Sequence, residues 1–317
     1  MKKKMNLLAI TMVLIGCIGF SSCNKPEFNP ERKISKIYDS YKMQLWRGDS
    51  LMYSNENSKN LSMIWRWEKN KLMTISWDMW DIYFVYDKNQ VTKMEMGDEE
   101  CVFKYNKDKK RESAEVRENG ELILSIKYAY SGDKVSTMTC TIYDGYKSDN
   151  KDFADKYKAM SRFLLPESVN NQILAHKMKE KKEKNTKADN YTFEYHFTYA
   201  GNNVSQLKMV DLEDGYIETY SFKYDSKKNP FYCSLSPYIA DFFEASFSIG
   251  YSENNIIAIY DEDGDLGESY SYVYDGDWPT QQIDKYEYSF ETYDYETGGT
   301  ILVREISEST THYEYLK

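Results

Sequence analysis

Beyond residue 37 apolar and polar positions alternate with a period of two, the signature of half-buried strands, and one phrase punctuates the alternation. Alternating aromatics end in an anchor aromatic, a polar turn follows, and an aliphatic residue resumes the pattern. It appears as Trp65-Arg66-Trp67-Glu68-Lys69-Asn70-Lys71-Leu72, as Phe84-Val85-Tyr86-Asp87-Lys88-Asn89-Gln90-Val91 and as Phe103-Lys104-Tyr105-Asn106. It returns around Tyr130, Tyr199, Tyr224, Tyr251 and Tyr274, so that neighbouring anchors lie 19, 19, 25, 69, 25, 27 and 23 residues apart. Two strands of ordinary length and two turns fill most of these intervals, which makes each period one up-and-down hairpin.

The opposite turns are legible too. Glu118-Asn119-Gly120-Glu121, Glu213-Asp214-Gly215-Tyr216 and Glu262-Asp263-Gly264-Asp265 each precede the next aromatic run. Asn-Gly and Asp-Gly supply the positive φ that tight hairpins need. Within a strand, Tyr270, Tyr272 and Tyr274 share one face, with Ser271 and Val273 on the other; Tyr220, Phe222 and Tyr224 repeat this against Ser221 and Lys223. The pattern predicts an all-β fold, an antiparallel up-and-down meander of repeated hairpins forming a curved sheet or open barrel.

The 69-residue interval breaks the rhythm. Phe153, Tyr157, Met160 and Leu164 have helical spacing, which predicts one short amphipathic helix at about 151–165, stopped by Pro166. Residues 177–187 are densely charged and predict a solvated loop. The repeat domain therefore spans 37–317, its halves 37–148 and 186–317 set around a helical and charged insertion at 149–185.

The N-terminus carries a different signal. Lys2-Lys3-Lys4 precede an apolar run from Met5 to Phe20, then Ser21-Ser22-Cys23. A basic start, a short apolar stretch and small residues before a Cys predict a lipoprotein signal peptide at 1–22, with Cys23 lipidated and residues 23–36 a tether. Acyl chains would then hold the body at a membrane surface without inserting it, in a bacterial outer membrane, on its periplasmic or its external face. Removing the leader's three lysines takes the formal charge from −10 to −13. An acidic body argues against a nucleic-acid partner, leaving the membrane, through the lipid anchor alone, and a polysaccharide or protein partner. Cys101, Cys140 and Cys233 show no metal-ligand spacing and are expected as buried thiols.

Phe222-Lys223-Tyr224-Asp225-Ser226-Lys227-Lys228-Asn229-Pro230-Phe231 and Tyr272-Val273-Tyr274-Asp275-Gly276, on a chain with a lipobox-like leader, resemble Bacteroidota lipoproteins built from YD-like hairpin repeats. That group includes a domain of unknown function described as porin-like in fold. The resemblance covers roughly residues 37–317 and implies architecture; it carries over no catalytic residues and no cofactor.

Candidate chemistry is sparse. Exposed Trp rings bind sugars by stacking, and Trp65, Trp67, Trp77 and Trp80, with Trp46 upstream, form the richest aromatic cluster. Trp65 and Trp67 fill the slots of Phe84 and Tyr86 and suit the packed ladder, whereas Trp77 and Trp80 have no equivalent slot and are the better ligand candidates. Asp261, Asp263 and Asp265 mimic the start of a calcium loop, but Leu266 and Tyr272 stand where its Gly and its bidentate Glu belong, so a hairpin turn is expected and no metal. No nucleophile elbow or phosphate loop occurs. These features predict a non-catalytic, envelope-anchored binding or interaction module with a Tyr/Trp-rich sheet face. The alternatives are a carbohydrate-active hydrolase with unassigned carboxylates and a purely structural envelope protein.

Overall fold

A computed structural model describes residues 28–77, 80–143, 190–232, 248–294 and 298–317. The leader, Cys23, Cys233, the helix expected at 151–165 and the charged stretch at 177–187 lie outside the described residues. The first half of the repeat folds into strands β1 (Ile34–Arg47), β2 (Ser50–Glu68), β3 (Lys71–Trp77), β4 (Trp80–Asp87), β5 (Gln90–Met96), β6 (Glu99–Tyr105), β7 (Arg111–Glu118), β8 (Glu121–Ser131) and β9 (Lys134–Tyr143). The second half follows as β10 (Asn190–Ala200), β11 (Asn203–Asp211), β12 (Ile217–Lys228), one helical turn α1 (Ser248–Tyr251), β13 (Asn254–Tyr260), β14 (Leu266–Asp275), β15 (Trp278–Asp294) and β16 (Gly299–Tyr315).

Every strand pairs antiparallel with its neighbours in sequence, and β1 pairs with β16, so the sheet is a closed 16-stranded barrel. The expected curved sheet or open barrel is therefore complete. Closure removes the edges that an open sheet would expose.

The barrel is apolar within. Leu72, Val91, Ala114, Cys140, Phe193, Tyr195 and Met209 are all fully buried, and Cys101 and Cys140 are buried free thiols, as expected. Outward positions are mostly polar, with Tyr83, Val85 and Val273 as exposed exceptions: Lys93 pairs with Glu95 and Glu100, Lys104 with Glu115, and Arg117 with Glu115. Thr137, Thr139 and Thr141 continue that outer wall on β9. A membrane-spanning barrel has the reverse arrangement, with an apolar band outside and polar groups inside.

The recurring phrase has a structural meaning. In eight strand pairs, all at one end of the barrel, the register slips by one residue at the anchor, before Trp67, Tyr86, Tyr105, Tyr130, Tyr199, Tyr224 and Tyr274, and again where Tyr315 meets Ile34. Such bulges re-aim a side chain. Four of the skipped residues are Ser or Thr whose hydroxyl donates to the carbonyl preceding the anchor: Ser35 to Glu314, Thr92 to Val85, Ser205 to Thr198 and Thr280 to Val273.

The re-aimed anchor then reaches back one hairpin. The hydroxyl of Tyr86 donates to the carbonyl of Leu72 at 2.9 Å, Tyr105 to Val91 at 2.6 Å, Tyr224 to Val204 at 2.6 Å and Tyr315 to Pro279 at 2.6 Å. Each acceptor is the residue paired with the preceding anchor. A lysine before that residue lies over the next ring, Lys71 over Tyr86, Lys110 over Tyr130 and Lys134 over Tyr199. Tyrosine suits the slot because it buries a ring and still carries a donor.

Sixteen strands enclose more space than strand side chains fill, and porins of that size hold a channel. Here irregular segments at the anchor end supply a plug. Phe28, ahead of β1, is fully buried 5.6 Å from Trp67, and Phe231, after β12, lies 6.2 Å from Trp65 and 5.8 Å from Tyr313. Tyr251 corrects the sequence-based expectation of a strand anchor. It belongs to α1, and its ring packs 5.2 Å from Phe197 inside the barrel. Ile249-Gly250-Tyr251 copies the phrase without its strand because the segment fills the plug instead of the wall. The eighth anchor is Tyr315.

Candidate binding face

Four strands outrun the others. β3 pairs with β2 only as far as Met63↔Trp77, and β14 with β15 only as far as Tyr270↔Asp284. Beyond those points β2, β1, β16 and β15 continue as a four-stranded sheet projecting from the end opposite the anchors. Residues 285–294 alone add roughly 30 Å along the strand direction. Arg47-Gly48-Asp49 is the tight turn at its β1–β2 tip, with Gly48 at φ 56°.

The face that continues the barrel interior is aromatic. On β15 the alternation places Tyr286, Tyr288 and Phe290 in one row, with ring centroids 5.2 Å and 5.4 Å apart. Tyr286 is 57% and Tyr288 38% exposed, whereas Tyr220, Tyr270 and Tyr313, on the same face within the barrel, are buried. The Tyr288 hydroxyl donates to Glu305 on β16 at 3.0 Å, which raises its phenol pKa, and Tyr41, Met43 and Leu45 share the face from β1. Flat, accessible rings beside a carboxylate can stack on the apolar face of a sugar while the carboxylate accepts from its hydroxyls.

The tryptophans expected to form the face are placed otherwise. Trp65 is 2% exposed and stacks on Trp67 at 6.3 Å, while the Trp67 indole donates to the Ile34 carbonyl; both serve the barrel interior, in the slots of Phe84 and Tyr86. Trp77 and Trp80 pair across the β3–β4 hairpin, and their side chains lie outside the described residues. Trp46, on the opposite face of the projecting sheet, lies under the Arg304 guanidinium at 5.9 Å.

The aspartates of the calcium-like segment build a turn. The Asp261 carboxylate accepts from the backbone N–H of Asp263 and of Asp265, and Gly264 takes φ 84°. Among the described residues no group of acidic, His or Cys side chains has metal-binding geometry. Carboxylates do enter the barrel mouth beneath the projecting sheet. Glu218 accepts from Tyr216 at 2.5 Å and from Tyr220, and Glu268 accepts from Tyr270. These pairs hold the carboxylates as acceptors for neighbouring phenols.

The Tyr286–Phe290 ladder was missed in the sequence, although a signal was there. Residues 278–294 run for 17 residues without an internal turn, longer than every other strand except β2 and β16.

No family model matches the chain, and no curated protein matches it. Among solved structures, a porin-like protein from Bacteroides uniformis ATCC 8492 is similar at 10% identity and a TM-score of 0.39, over 89% of this chain and 96% of that one. A likeness of that order bears on neither activity nor location.

Proposed function

We propose that the protein is a non-catalytic, lipid-anchored envelope protein of Bacteroidota type that binds a glycan on the projecting sheet. The row Tyr286, Tyr288 and Phe290, exposed at both tyrosines, carries this reading, since packing inside the barrel does not require it. The leader Lys2-Lys3-Lys4 with Ser21-Ser22-Cys23 supports the anchor. Phe28, five residues beyond Cys23, is buried at the anchor end, so a lipid on Cys23 would leave the projecting sheet facing away from the membrane. The polar outer wall supports attachment through lipid in place of strands crossing a bilayer.

The test is a binding screen of the purified protein against host and dietary polysaccharides, with product analysis of each hit. Binding without products, lost in Tyr286→Ala/Tyr288→Ala while the fold persists, is the expected result. Released oligosaccharides would move the argument to the carboxylates of the mouth, and binding indifferent to the double substitution would overturn the assignment of the face.

A further inference from the structure

The formal charge of the chain, −10, speaks against an anionic surface as partner, yet a total hides how charge is placed. At the anchor end three neighbouring hairpins, β2–β3, β4–β5 and β6–β7, close through residues 68–71, 87–90 and 106–111. These turns hold seven basic side chains against three acidic ones. At the opposite end the β5–β6 and β7–β8 turns, residues 97–100 and 118–121, hold carboxylates and no basic group. Adjacent anchor-end turns stand two strand spacings apart, roughly 10 Å, so their lysines form an arc along one side of the barrel rim.

These lysines are of two kinds. Lys71 and Lys110 serve the latch: their ammonium groups donate to the carbonyls of Lys88 and Gly132 in the next turn and lie over the Tyr86 and Tyr130 rings. Lys69, Lys88, Lys107 and Lys109 are exposed, and none of the four forms an ion pair among the described residues. Three of them sit where the backbone disfavours a side chain, Lys69 at φ 46°, Lys88 at φ 55° and Lys109 at φ 62°. Lys69 and Lys88 stand two residues after their anchors, the place of Gly132, Gly201 and Gly276 at φ 61°, 59° and 64°. Glycine takes this conformation freely, whereas a residue with a Cβ is strained in it. Turn chemistry therefore does not account for lysine at these positions, and charge does.

The chain enters the barrel beside them. Phe28 is fully buried 5.6 Å from Trp67, the anchor that precedes Lys69, and the Lys33 ammonium lies 5.7 Å from the centre of that indole. Five residues reach at most about 18 Å, so a lipid on Cys23 would bring this rim to the headgroups.

We propose that the lysine rim docks on an anionic bilayer surface, with Lys69, Lys88, Lys107 and Lys109 meeting lipid phosphates while the projecting sheet points away. A lipid chain and a basic patch are the two signals that together make attachment stable. The contact rests on where the lysines stand; it needs no sugar, and a lipid on Cys23 adds to it without being required.

The test uses the full-length protein mixed with vesicles of phosphatidylcholine alone or of phosphatidylcholine with phosphatidylglycerol, labelled with an amine-reactive reagent and read lysine by lysine by mass spectrometry. On the anionic vesicles Lys69, Lys88, Lys107 and Lys109 should label roughly fivefold more slowly than in solution. Lys42 on β1 and Lys127 on β8 should label as they do in solution, and high salt should abolish the protection. Replacing Lys69, Lys88 and Lys109 together by Gly relieves the left-handed positions, so this variant should melt no lower than wild type yet leave Lys107 unprotected. Equal protection on both kinds of vesicle, equal protection of Lys42 and Lys127, protection by inorganic phosphate alone, or a glycine variant that still shields Lys107 would overturn the proposal. Protection on anionic vesicles by a protein that neutral vesicles do not retain would keep the rim and remove the lipid anchor. Retention on neutral vesicles, with every lysine labelled alike on anionic ones, would keep the anchor and overturn the rim.

Discussion

The indole Nε1 of Trp67 donates to the carbonyl oxygen of Ile34 at 2.7 Å. Ile34 pairs with Tyr315 as Leu72 pairs with Trp67 and Val91 with Tyr86, and Lys33 lies over Trp67 as Lys71 lies over Tyr86. The chain termini thus occupy the place of an anchor turn: Tyr315 supplies the anchor of the split repeat, Ile34 its aliphatic residue, and Leu316 N–H bonds the Lys33 carbonyl across the junction. Barrel closure reuses the contact by which Tyr86, Tyr105 and Tyr224 link one hairpin to the next.

The latch should be measurable one bond at a time. Tyr105→Phe removes the bond to Val91 and keeps the ring, so it should cost about 0.5–1.5 kcal/mol in urea unfolding. Tyr128 is the control. Its buried hydroxyl has no hydrogen-bond partner among the described residues, so Tyr128→Phe should be neutral or stabilising. Equal losses at both positions would remove the latch as the reason for tyrosine in the anchor slot.

The plug should matter as much as the wall. Phe28 is fully buried against Trp65 and Trp67, so Phe28→Ala should destabilise by about 3–5 kcal/mol although the residue precedes the first strand. A change within experimental error would mean that the barrel holds its interior without the N-terminal segment.

Trp65 and Tyr288 should separate stability from binding. Trp65→Ala should lower stability by about 3–5 kcal/mol, as for any large aromatic lost from a core. Tyr288→Ala, at an exposed position, should leave the unfolding midpoint nearly unchanged and abolish the glycan-dependent thermal shift. The opposite pattern would return the ligand face to the tryptophans.

Alkaline pH should unfold the protein cooperatively. Burial raises the phenols of Tyr270, Tyr272 and Tyr313 well above the ordinary value of 10.0. The native state thus holds its protons where the unfolded chain releases them, so stability is intact below about pH 10 and falls as pH climbs above it. Ultraviolet titration should show exposed tyrosines ionising first, then a step coincident with loss of circular dichroism. A smooth titration of all tyrosines without unfolding would show that the interior admits hydroxide.

The hairpin rhythm, the Asn119-Gly120 and Asp263-Gly264 turns and the faces of Tyr270, Tyr272 and Tyr274 were all readable from the sequence. Strand alternation and positive-φ turns are local, and local chemistry writes them into neighbouring residues. The meaning of the anchors was not readable, because Tyr105 and Val91 meet only after a bulge turns the ring toward the preceding hairpin. Tyr251 carries the same phrase, yet it packs as a plug, since only the assembled barrel has an interior to fill.

The sequence by itself determined an all-β chain of repeating hairpins with an acidic net charge. Tertiary structure decided that the sheet closes, that Trp65 belongs inside and that four strands outrun the barrel to expose Tyr286 and Tyr288. Alternation along one strand separates two faces without saying which of them another part of the chain will cover. Coverage depends on where the neighbouring strands stop, and that is set by pairing between residues distant in sequence.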